Sequence, residues 1–81
     1  MMAKFTNNTI LTLDNKSRYL IICSTRYDGD IYYYLSNINR KNDVMICKEA
    51  KTGLDKIIDQ RVIKVLLPLL LNELCNILNQ N

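Results

Sequence analysis

The 81-residue chain sets 11 Lys and Arg against 8 Asp and Glu, a formal net charge of +3, and is 48% apolar and 23% charged with no histidine. That length holds one hydrophobic core, hence a single domain over 1–81, and the composition is that of a globular protein and excludes disorder. The small charge does not by itself imply a nucleic-acid partner, and without histidine the commonest general base is missing.

Residues 1–8 are polar and expected to fray, and they lack the apolar core of a signal peptide. The longest uncharged apolar run, Val65 to Leu71, contains Pro68 and falls far short of the roughly 20 residues that span a bilayer. A cytoplasmic location with no membrane partner is therefore expected. Thr9-Ile10-Leu11-Thr12-Leu13 alternates as a first strand. Asp14-Asn15-Lys16-Ser17 is a turn, since Asp and Asn bond their own backbone and tolerate left-handed geometry.

The strongest local signal follows. Arg18 to Arg26 and Ile31 to Ile38 are rich in β-branched and aromatic residues and flank Asp28-Gly29, a pair suited to a type I′ hairpin turn. With those two as the loop, Thr25 faces Tyr32, Cys23 faces Tyr34, Ile21 faces Ser36 and Tyr19 faces Ile38. On the other face Arg26 meets Ile31, Ser24 meets Tyr33, Ile22 meets Leu35 and Leu20 meets Asn37. In this register Tyr19, Tyr32 and Tyr34 share a face. Neither face is cleanly polar, so both are expected to meet something.

After the polar loop Asn39 to Asp43, Val44 to Glu49 reads as a fourth strand. The Ala50-Lys51-Thr52-Gly53 turn leads to a short edge strand, Leu54 to Ile57, whose Asp55 and Lys56 suit an edge. Connections this short predict a sequential antiparallel meander. From Asp59, a capping residue, the period becomes helical. Pro68 removes one backbone donor, so the helix over 59–79 is expected to kink there or restart. The fold class is thus α+β: a meander of four or five strands over 9–57 with one C-terminal helix on one face.

The helix carries two apolar stripes. One runs through Val62, Leu66, Leu69 or Leu70, Glu73 or Leu74, and Ile77, and the second through Ile63, Leu67, Leu70 or Leu71, Leu74 and Leu78. Together they exceed what one sheet face buries. A homodimer, a partner protein or a fuller wrap of the sheet would each hide the surplus.

No catalytic constellation emerges. Ser17, Ser24 and Ser36 lack a nucleophile elbow, and Gly29 and Gly53 make no phosphate loop. Asp28 and Asp30 read as turn chemistry. Cys23, Cys47 and Cys75 are odd in number and far apart, which suits buried thiols in a reducing compartment better than a zinc site. No metal, cofactor or small-molecule ligand is expected. The candidate contact residues are Ile63, Leu67, Leu70, Leu71, Leu74 and Leu78 on the helix and Tyr19, Tyr32, Tyr33 and Tyr34 on the sheet. The tyrosines, with Lys16, Arg18, Arg26, Arg40 and Lys41 nearby, allow a single-stranded nucleic-acid platform as an alternative. Because platform and charges are partly separated, that reading is not favoured.

The succession Thr12-Leu13-Asp14-Asn15, Tyr19, Tyr27-Asp28-Gly29, Tyr32-Tyr33-Tyr34-Leu35, Asn37-Ile38-Asn39 and Leu66-Leu67-Pro68-Leu69 resembles small proteins of low-GC Gram-positive bacteria and their phages and mobile elements. The resemblance covers residues 9–78. It implies a strand meander closed by a helix, and carries over no activity or functional residue. Phage accessory proteins of this size that block a host machine by occupying its surface supply a further alternative. The expectation is a non-catalytic cytoplasmic interaction module, homodimeric or bound to another protein.

Overall fold

A computed structural model describes residues 4–13 and 16–79, so the predicted turn residues Asp14 and Asn15 and the chain ends 1–3 and 80–81 lie outside the described residues. Five strands, β1 (Ile10–Thr12), β2 (Arg18–Tyr27), β3 (Asp30–Asn37), β4 (Val44–Ala50) and β5 (Gly53–Lys56), precede one helix, α1 (Gln60–Leu78). The strands form a curled antiparallel meander in the order β1-β2-β3-β4-β5, with α1 packed against it. The α+β class is as the sequence predicts, with five strands.

The β2–β3 hairpin turns through Asp28 at φ 50° and Gly29 at φ 82°, the left-handed pair that the Asp-Gly signal demands. From Tyr27↔Asp30 back to Cys23↔Tyr34 the register is the expected one. Beyond it a bulge at Ile22 shifts the pairing by one, giving Ile21↔Leu35 and Tyr19↔Asn37 in place of Ser36 and Ile38. One extra residue moves every earlier side chain of β2 to the opposite face.

The two faces therefore hold two cores. Tyr19, Ile21, Ile31, Tyr33, Leu35 and Cys47 cluster inside the curl, joined by Phe5, Leu11, Leu13, Met45 and Leu54. Cys23, Tyr32 and Ile46 lie on the other face with Leu66 and Leu70 of α1, supported by Ile22, Tyr34, Ile57, Val62, Ile63, Leu74 and Ile77. The expected grouping of Tyr19 with Tyr32 and Tyr34 is thus overturned: Tyr19 sits with Tyr33, and the bulge is the reason.

Residues 4–8 do not fray. Lys4 donates from its backbone N–H to Glu49 Oε1 at 2.9 Å and from Nζ to the carbonyls of Ala50 and Lys51. Phe5 packs edge-on against Tyr33 with ring centroids 5.6 Å apart. Asn8 N–H then donates to the Ile21 carbonyl at 2.7 Å, so the segment leads directly into the sheet.

The β3–β4 loop is tied by Asn37, whose Oδ1 accepts from the N–H groups of Asn39 and Arg40 and whose Nδ2 donates to Asp43 Oδ2 at 3.1 Å. At the helix entry, Asp59 Oδ1 accepts from Arg61 N–H at 2.9 Å, the capping role expected of it. The helix is not broken at Pro68. It runs through that residue, which lies exposed while Leu66 and Leu70 on either side are anchored in the core. Burial of those two leucines outweighs the lost backbone bond.

Candidate functional site

The second helix stripe divides in the structure. Leu70 is fully buried against the sheet, and Ile63 and Leu74 are half-buried beside it. Leu67, Leu71 and Leu78 face outward, at 37%, 52% and 65% exposure. The reason is the helical period: Leu70 follows Leu66 by four residues and shares its inward side, whereas Leu71 lies one step further round. The stripe thus supplies both core and surface, and Leu70 is removed from any surface role.

Beside the outward leucines lies a largely apolar groove of about 320 Å³ between the first half of α1 and β4, walled by Tyr34, Val44, Ile46, Ile58, Ile63 and Leu67, with Lys56 and Gln60 also lining it. Sequence reasoning missed three of its apolar walls, Val44, Ile46 and Ile58. Val44 opens β4 on the helix-bearing face but beyond the helix's cover, and stays exposed. Ile58 and Ile63 occupy the two positions flanking a helix start that can staple together. Ile58 nonetheless stays 78% exposed. The staple positions around Asp59 were legible in the sequence and are the signal that could have found it.

The tyrosines fare differently. Of the four candidate tyrosines, Tyr33 and Tyr19 are buried inside the curl and Tyr32 is buried under α1, leaving Tyr34 partly accessible on the groove wall; Tyr27, at the hairpin tip, is exposed. These four side chains do not form one exposed aromatic face. Tyr19 Oη donates to Asp43 Oδ2 at 2.5 Å, and Tyr33 Oη donates to Glu49 Oε1 at 2.6 Å. Hydrogen bonding to the phenol holds each carboxyl below its ordinary range. The same bond pushes Tyr19 up, and burial together with the bond to Glu49 pushes Tyr33 up.

Buried Cys23 donates from Sγ to the Leu70 carbonyl at 3.3 Å, and burial raises its thiol pKa as it does that of Cys47. Cys75 is exposed on α1. Among the described residues no group of three or more Cys, Asp or Glu is placed to hold a metal ion, and no helix is long and apolar enough to cross a membrane. A second opening, about 660 Å³, lies between β1 and the β4–β5 turn, lined by Leu11, Thr12, Leu13, Ala50, Thr52, Gly53, Leu54 and Asp55. It is the gap where the two sheet edges fail to meet. No protein-family model, curated protein or solved structure matches this chain.

Proposed function

We infer that the chain is a small non-catalytic interaction module, acting in the cytoplasm, whose working surface is the outward side of α1 together with the groove beside β4. The observation that carries this reading is Leu67, Leu71 and Leu78 standing exposed on a helix whose inward side is already filled by the sheet. A helix serving only this core would present polar residues there. Clustered exposed leucines next to an apolar groove are the composition of an interface centre. Burial of Tyr19, Tyr32 and Tyr33 favours protein contact over base stacking as the use of this molecule.

The test compares the wild-type chain with Leu71→Asp as baits, scored by self-association and by stoichiometric capture of a defined partner. Association lost on that single substitution supports the reading. A wild-type chain that neither self-associates nor captures any partner differently from Leu71→Asp overturns it.

A further inference from the structure

We propose that the partner of this surface is a second copy of the chain, with the two α1 helices packed antiparallel about a two-fold axis between Leu71 and Leu74. This rests on the interaction reading above and adds the identity and geometry of the partner.

The spacing of the leucines sets the geometry. Lys64, Leu67, Leu71, Leu74 and Leu78 follow one another at alternating three- and four-residue steps, the a and d positions of a heptad seam. In an antiparallel pair, a positions meet d positions, so Leu71 packs on Leu74 of the other copy and Leu67 on Leu78. Four leucine layers result, symmetric about the point midway between Leu71 and Leu74. Pro68 and Cys75, on the outer flank of the seam, are uncharged and exposed and oppose no like charge across it.

Charge selects the orientation. The first turn of α1 holds no acidic residue and the last turn no basic one, while Arg61 and Lys64 lie near the N-terminal end. Alone, the helix has the Asp59 carboxylate at its N-terminal end but no cation at its C-terminal end, where the dipole stays uncomplemented. A parallel pair would set two Lys64 ammonium groups in one layer. The antiparallel pair instead carries each Lys64 past Leu78 of the other copy, to the carbonyl end that lacks a cation.

The groove supplies self-complementarity. Leu67 is at once a seam residue and a groove wall. The layer that sets Leu78 of one copy on Leu67 of the other brings the most exposed leucine of α1 to the groove walled by Val44 and Ile58. Two-fold symmetry repeats the contact at the other end, as an isologous interface requires.

The experiment combines light scattering across protein concentration with spin-label distances in an Arg61→Cys, Cys75→Ser chain, in which Cys23 and Cys47 stay buried. A dimer is expected, with the labels about 35 Å apart along the helix axis from the rise per residue. Leu71→Asp should raise the dissociation constant about 30-fold or more with an unchanged circular-dichroism spectrum. Lys64→Glu, a surface change that spares folding, should weaken the dimer as well. A dimer with labels at roughly one interhelical distance of 8–10 Å is parallel and overturns the proposal while the interaction reading stands. A dimer indifferent to Leu71→Asp overturns it too. A monomer at every concentration also overturns it, and the bait comparison then decides separately whether a different partner keeps the interaction reading.

Discussion

The phenol of Tyr33 donates to Glu49 Oε1 at 2.6 Å and accepts from the Phe5 N–H at 3.2 Å, so one buried hydroxyl joins β3, β4 and the N-terminal segment. Glu49 in turn accepts from Lys4 N–H at the same oxygen. At the other end of the curl, Tyr19 and Asp43 make the equivalent pair.

These pairs give stability a two-sided pH dependence. Asp43 and Glu49 are held below their ordinary values, so their contribution is present above the unfolded carboxyl pKa of about 4 and is lost as pH falls through the folded value. Tyr19 and Tyr33 are raised, so their contribution is present below the unfolded phenol pKa of about 10 and is lost as pH rises through the folded value. Urea midpoints should therefore be level between about pH 5 and 8 and fall on both sides, the buried thiols of Cys23 and Cys47, also raised, adding to the alkaline fall. Tyr19→Phe combined with Tyr33→Phe should flatten the alkaline fall. An unaltered profile in that double variant would show that the phenol–carboxylate bonds do not set it.

Phe5→Ala should destabilise the fold by about 2 kcal/mol, since it removes a half-buried ring and its edge-on contact with Tyr33. Amide exchange should rise at Asn8 and Ile21, whose backbone bonds secure the same segment. A change of a few tenths of a kcal/mol would mean that residues 4–8 are not held as described.

Adjacent leucines on α1 should behave oppositely. Leu70→Ala empties a fully buried site and should cost about 3 kcal/mol, a large part of the stability of so small a domain. Leu71→Ala should leave monomer stability within about 0.5 kcal/mol and weaken only association. Chemical denaturation at low protein concentration separates the two. Equal costs would place the helix in a different rotation on the sheet.

Thiol chemistry reports the same packing independently. In the native state a thiol reagent should modify Cys75 rapidly while Cys23 and Cys47 stay protected by burial and by thiol pKa values that burial raises. All three cysteines should react after denaturation. Rapid loss of a second thiol in the folded protein would contradict the buried position of Cys23 under Leu70 or of Cys47 inside the curl.

Much of this architecture is determined by the sequence alone, because its signals are local. Asp28-Gly29 dictates a left-handed turn, Asp59 a helix start, and the short connections a meander in which neighbours in sequence are neighbours in the sheet. That the helix carries more apolar residues than one sheet face buries was legible in the sequence. The choice of Leu70 for the core instead of the surface was not, since either rotation of the helix buries a leucine stripe.

Only the tertiary structure decided which side chains share a face. Leu20-Ile21-Ile22 is apolar throughout, so no alternation marks where a residue is extra, and the bulge at Ile22 is invisible locally. It forms where Tyr19 can reach Asp43 and Ile21 can fill the curl, contacts between residues far apart in the chain. That one-residue slip sends Tyr19 inward beside Tyr33 and away from Tyr32, and leaves the face of Cys23 and Ile46 for the helix to cover. Period-two geometry makes the consequence absolute: a single inserted residue exchanges the two faces of everything before it.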